Sequence, residues 1–165
     1  MTDNHLAGWL LGRGADPNAR CLYDRTPLSR AAREASTSTV KLLFEWGGTV
    51  NKGEPLHYAA MRDDLDALEI IKLLLDLGAP INKVQWEDDM VSFRLMRLTC
   101  LGTPLHYAAL YGRTKLVSLL LERGADRTIV NTDPRRPQIA LELAEEKGHA
   151  EVIRLLQRES TEVPI

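Results

Sequence analysis

The residues of this 165-residue chain whose types could do chemistry are four histidines, two cysteines and two short runs of acids. His57 and His106 invite a zinc reading, because imidazole nitrogen is a common ligand of that metal. They occupy the same position in neighbouring copies of a repeated unit, however, and stacked copies hold equivalent helices about 8–10 Å apart. Two ligands that must each approach zinc to about 2 Å cannot share one ion across that gap, so a structural role is expected of both. His149 follows Gly148 in a turn and His5 lies near the start, and neither completes a constellation. Glu87-Asp88-Asp89 and Asp63-Asp64-Asp66 lack the spaced oxygen ligands and central glycine of a calcium loop, so they are expected to be solvated turn charges. Cys21 and Cys100 have no CxxC spacing and lie in connections more than two units apart, which predicts unpaired, inert thiols. A glycine-rich phosphate loop, a GxSxG elbow and an HExxH pair are all missing from the sequence. The expectation is a chain without catalytic residues, metal or cofactor.

The elements that carry these residues are clearest over 103–126. Thr103 can cap orphan backbone N–H groups, and Pro104 sits where a missing N–H is harmless, so a helix starts there. Ala108 and Ala109 give it a face with almost no side chain, suited to close contact with a neighbouring helix, and Gly112 lets the chain turn back. Leu116, Val117, Leu119, Leu120 and Leu121 then supply the wide apolar stripe of a second helix, which Gly124 ends.

The signals recur as Thr26-Pro27-Leu28-Ser29-Arg30-Ala31-Ala32 to Gly47, and as Glu54-Pro55-Leu56-His57-Tyr58-Ala59-Ala60 to Gly78. A weaker copy runs Ile139-Ala140-Leu141-Glu142-Leu143-Ala144 through Gly148 to Leu155-Leu156. Equivalent positions are 28, 49 and 36 residues apart, so the helices are kept while the connections vary. Thr103-Pro104-Leu105-His106-Tyr107-Ala108 fits the T-P-L-H-x-A signature, and the chain resembles the ankyrin repeat family over nearly its whole length. The resemblance implies an all-α solenoid of stacked helix-turn-helix units with short hairpin fingers. It also implies that the motif histidine ties one repeat's turn to the next by hydrogen bonds, a role Ser29 could partly fill in the first unit.

The array divides into a half repeat (1–25), repeats over 26–53, 54–102 and 103–138, and a capping repeat over 139–158. Residues 159–165 read as a disordered tail. Trp9-Leu10-Leu11 followed by Gly14-Ala15-Asp16 matches the second helix and exit turn of a unit without its first helix. Three readings are open: a piece of a longer array, a trimmed start, or a makeshift cap with Trp9 folded over the end; the first two are preferred. At the opposite end Gln157, and Glu145 beside Glu142 and Glu146, suit a terminal unit facing solvent.

Two connections depart from the pattern. Asn51-Lys52-Gly53 leaves almost no room for a finger, which predicts a gap or step. Residues 84–102 overcompensate: Val91, Phe93 and Leu95 alternate with polar residues as in a strand, while Val91, Leu95 and Leu98 fit a helical offset. An enlarged hairpin finger is the favoured reading. The inner turn at residues 63–69 is three residues longer than its equivalent in the third unit. This combination looks like a subset of ankyrin arrays found in filamentous fungi.

A formal charge of −2 offers no general attraction to nucleic acid or anionic membranes, and the apolar patch 6–11 is too short to span a bilayer. An intracellular monomer is expected, with neither nucleic acid nor membrane as partner. What remains is surface, and by resemblance the inner side of the first helices and the fingers bind proteins. Those positions are Arg33 and Glu34, Met61 and Arg62, Leu110 and Tyr111, and Glu146 and Lys147. The fingers add Leu22, Tyr23 and Arg25, with Trp86 and Phe93 from the insertion, although the two aromatics could instead pack the insertion onto the stack. Tyr, Trp, Met and Arg are the types in which binding energy concentrates. The function expected is a non-catalytic scaffold for a protein partner, or else a recognition segment of a larger multidomain protein.

Overall fold

The computed structural model describes residues 3–96 and 101–157; the tail expected over 159–165 lies outside them. Helices α1 (Asp3–Leu11), α3 (Thr37–Glu45), α5 (Ala67–Asp76), α8 (Thr114–Glu122) and α10 (Ala150–Gln157) form one layer, each packed on the next. Helices α2 (Pro27–Glu34), α4 (Pro55–Ala60), α7 (Pro104–Leu110) and α9 (Ala140–Lys147) form the second layer in the same order. Each of these first helices also packs on the helix that follows it, so the molecule is an all-α solenoid with no strand among the described residues. The core lies between the layers and is built from Leu28, Val40, Leu56, Ile70, Ile71, Leu74, Leu105, Val117, Leu120 and Val152. Ala31-Ala32, Ala59-Ala60 and Ala108-Ala109 are all buried in it, which lets successive first helices approach closely.

The starts and stops are those the residue types dictate. Thr26 N–H donates to Ser29 Oγ at 2.9 Å while Ser29 N–H donates back to Thr26 Oγ1 at 3.2 Å, a reciprocal cap at the head of α2. Ile139 cannot cap with its own side chain, and Glu142 compensates by accepting from Ile139 N–H at 2.9 Å. Gly78 and Gly124 leave α5 and α8 with φ of 82° and 87°, where an L side chain would meet a Cβ penalty.

Two hydrogen-bonded ladders stitch the repeats together. His57 Nε2–H donates to Lys83 O at 2.9 Å, and His106 Nε2–H donates to Gln138 O at 3.1 Å, so each motif histidine reaches the next connection. On the other layer, Asn18 bridges to Gly47 O (2.8 Å) and Thr49 N (3.0 Å), and Asn82, four residues after its own glycine as Asn18 is, bridges to Gly124 O and Asp126 N. His149 is structural too: its Nε2–H donates to Leu110 O at 3.1 Å, and a Cβ on Gly112 would stand 2.7 Å from its ring.

The insertion differs from the hairpin expected. Residues 90–96 form a helix, α6 (Met90–Met96), whose start Asp89 caps by accepting from Ser92 N–H at 2.9 Å. The strand-like alternation at Val91, Phe93 and Leu95 loses because the chain there has no sheet edge to join, whereas a helix satisfies its own backbone. Beside the short connection at residues 51–53, Asn51 borders an open hollow lined also by Pro80, Lys83, Glu87 and Asp88. The insertion reaches back to the turn at Leu22–Asp24, where α6 packs, Arg20 pairs with Asp89 at 2.9 Å, and the Tyr23 and Trp86 rings stand 6.3 Å apart.

Candidate functional site

The residues expected to meet a partner divide into an outward and an inward set. Arg33 and Glu34 close α2, and Glu146 and Lys147 close α9, all exposed; Met61 and Leu110 are half-buried at the ends of α4 and α7. Tyr111 is exposed, with the Arg113 guanidinium 5.9 Å from its ring centre. Arg33 lies over the Tyr58 ring at 6.0 Å, and Arg25 over the half-buried Tyr23 at 5.9 Å. The contacts of Arg25 and Arg33 hold exposed guanidinium groups in place, which lowers the entropy lost when a partner fixes them, whereas Arg113 is half-buried and paired with Asp63.

Arg62 and Trp86 belong to the inward set. Arg62 is 5% exposed. Its Nη1 donates to Ala35 O at 2.7 Å and more weakly to Ala31 O and Ala32 O, closing the carbonyl end of α2, while its other nitrogens hold Asp64. A cation at a helix C-terminus is favoured by the helix dipole, so this arginine is a repeat-to-repeat clamp. The acids of that turn are engaged as well: Asp63 pairs with Arg113 at 2.7 Å, Asp64 accepts from Ala67 N–H at 3.1 Å, and Asp66 accepts from Thr37 Oγ1 at 3.1 Å. Asp63 and Asp64 are exposed turn charges as expected, and the longer inner turn also lets Asp63 and Asp66 reach the neighbouring repeats.

Trp86 is 5% exposed and, like Tyr23, Asp24 and Glu54, has a positive φ close to 60°. Non-glycine residues in that region cost about 1–2 kcal/mol each, and they persist where surrounding contacts over-determine them. All four lie where the insertion, the first connection and the head of α4 meet. Asp24 accepts from Gly53 N–H at 3.2 Å and pairs with Arg20, while Trp86 N–H reaches Glu54 Oε1 at 3.4 Å. Phe93 is half-buried under α6.

Glu54 stands where the motif has threonine. Its carboxylate, 6% exposed, approaches His57 Nδ1 at 3.2 Å and Lys83 Nζ at 3.1 Å, and Lys83 also pairs with Asp88 at 2.8 Å. Burial pushes the Glu54 carboxyl up, but His57 and Lys83 outweigh it and hold it below the usual carboxylate range. In the third repeat the motif is intact: Thr103 N–H donates to His106 Nδ1 at 3.1 Å, and burial lowers the His106 imidazole to about 4 despite its carbonyl partners. That ring is neutral at pH 7. Among the described residues no group of three His, Cys, Asp or Glu side chains converges as a metal site requires, and no helix is long and apolar enough to cross a membrane.

Residues 2–85 and 91–164 match the family described as ankyrin repeats (3 copies), and residues 56–121 match ankyrin repeats (many copies). The chain belongs to the ankyrin repeat family. It is similar to the probable E3 ubiquitin-protein ligase XBOS34 of Oryza sativa subsp. japonica, with 37% identity across 69% of this chain and 19% of that protein. The ankyrin repeat and SOCS box protein 5 of Mus musculus is 34% identical across 82% of this chain and 36% of its own length. The transient receptor potential cation channel subfamily A member 1 of Homo sapiens is 27% identical across 94% of the chain and 16% of its own. This ankyrin array thus spans between about a sixth and about a third of the relatives it matches.

Proposed function

We propose that the chain is a non-catalytic scaffold that binds a protein partner on the concave side of its first-helix layer. It acts inside the cell as a monomer, without nucleic acid or cofactor. Support comes from the family, whose repeats are protein-interaction modules, and above all from the exposed side chains at the ends of two first helices, Arg33 and Glu34 on α2 and Tyr111 after α7, with exposed Arg25 and half-buried Tyr23 on the same side as α2. These are interface types set on a rigid frame. Arg62 and Trp86 serve this surface from behind, one by closing α2 and the other by seating the insertion. The truncated second connection and the enlarged third one are our grounds for grouping the array with those of filamentous fungi.

Affinity capture from source lysate, read by mass spectrometry, tests the reading with Arg33→Ala/Tyr111→Ala as control. Both side chains are exposed, so the fold is expected to survive. A protein recovered by the native chain and lost by the control is the expected result; equal recovery by both overturns the site.

A second reading makes this array the recognition part of a longer multidomain protein. The relatives favour it, since each carries the matching stretch as a minor fraction of its length. Its test is the reading frame around the chain, where further domains would be found.

A further inference from the structure

Three arginines gather around the first helix of the first full unit. Arg25 precedes the cap of α2, and Arg30 and Arg33 stand three residues apart on that helix, so they share one side of it. All three are exposed, and they line one shallow hollow with Ser29, Glu34 and Tyr58 of the next repeat. Carboxylates are short there. Glu34 is held by Arg30 at 2.6 Å and lies 3.8 Å from Arg33, while Arg25 makes no ion pair among the described residues and bonds to the Tyr58 side chain instead. The nearest other acids are engaged, Asp24 by Arg20 and Gly53 N–H, and Glu54 by His57 and Lys83. Asp88 and Asp89 belong to the insertion, none of whose residues lines the hollow. Three guanidinium groups against one carboxylate leave a local surplus of two positive charges. The dipole of α2 favours a cation at its end, but Arg62 already fills that role, which leaves the surplus without a carboxylate of its own.

The surroundings select the occupant. Arg25 stands over the Tyr23 ring and Arg33 over the Tyr58 ring, so both guanidinium forks are set before a ligand arrives. At the floor of the hollow the Ser29 hydroxyl donates to Thr26 O at 2.8 Å, which leaves the forks as the donors that face outward. Held over separate rings, they spread the surplus across two groups, which suits two planar carboxylates better than one compact phosphoryl group. Charge is also confined to this end of the layer. Helices α4 and α7 carry no Asp, Glu, Lys or Arg, and the positions equivalent to Arg33 are the half-buried Met61 and Leu110, the latter followed by exposed Tyr111. With about 8–10 Å per repeat, Leu110 lies roughly 16–20 Å from Arg33, a span of about five or six extended residues. We propose that the arginine cluster receives two neighbouring carboxylates of a protein partner's segment, whose apolar residues rest further along on Met61, Leu110 and Tyr111. The proposal rests on reading the first-helix layer as a protein-binding surface and names the chemistry that its first unit recognises.

The probe is a displayed library of random peptides of about 12 residues, longer than this path when extended, selected on the native chain. Its pool is then measured on the native chain at low and high salt, on Arg25→Gln/Arg33→Gln and on Tyr111→Ala, with the melting of each chain followed in parallel. These are exposed positions, and glutamine keeps α2 helical. The expected pool carries paired Asp or Glu with an apolar residue about five or six positions away, weakens at high salt, and binds Arg25→Gln/Arg33→Gln at least about tenfold more weakly. Affinity of the native chain that high salt leaves unchanged overturns the proposal without any substitution. A pool lacking grouped acids, weakened by Tyr111→Ala and not by Arg25→Gln/Arg33→Gln, overturns the cluster and leaves the first-helix reading standing. A pool indifferent to both variants, or no enrichment at all, overturns both. Binding at least about tenfold tighter when one phosphoserine replaces the paired acids assigns the cluster to a phosphoryl group and overturns the carboxylates.

Discussion

His106 shows how one buried ring couples the array to pH. Below pH 6.5 the unfolded chain takes up a proton that the folded ring refuses until about pH 4, so stability is complete above that window and is lost as the pH falls through it. The loss reaches about 3 kcal/mol at the lower end. Glu54 adds to it at lower pH still, since a carboxyl held below its usual range contributes stability above that range and loses it on protonation. The melting temperature is therefore expected to fall between pH 7.5 and pH 5, and His106→Gln to flatten the slope; a flat native profile contradicts this. Arg62 makes a second prediction at this scale. Arg62→Met leaves the carbonyl end of α2 without its donor and is expected to cost about 2–3 kcal/mol in urea unfolding, where an exposed contact residue would cost almost nothing.

At the scale of elements, the helix pairs were legible because Thr-Pro before and glycine after a helix act through local sterics and hydrogen bonds, which need no knowledge of the neighbours. The role of the motif histidines was legible through the family resemblance, which the T-P-L-H-x-A signature carries. The insertion was harder. Seven residues are too few for the apolar period to separate strand from helix, and the structure decides by packing: Ser92 is buried and Phe93 half-buried, while Met90, Val91 and Leu95 are exposed. Trp86 was placed among the contact residues by its type, but its positive φ, which no sequence pattern announces, turns it under the insertion. Arg62 escaped in the same way, because its acceptors belong to the previous repeat. Trp86→Ala is expected to cost about 3 kcal/mol and to speed hydrogen exchange across residues 87–96 while α9 and α10 stay protected. Unchanged exchange there would show that α6 is held by something else.

The whole molecule is a line of units, each touching only its neighbours, so its surface is a sequence of local choices set on a common frame. The first-helix layer runs from α2, where Arg30 and Arg33 outnumber Glu34, to α9, where Glu142, Glu145 and Glu146 outnumber Lys147, with Tyr111 between. Such polarity orients a partner as well as attracting it. The account stands or falls on that layer being where binding energy resides. The deciding measurement is a binding isotherm of the captured partner against the native chain and against Arg33→Ala/Tyr111→Ala, with melting of both followed in parallel. The account predicts affinity weakened about tenfold or more at nearly unchanged melting temperature. Equal affinity from two equally stable chains would contradict it.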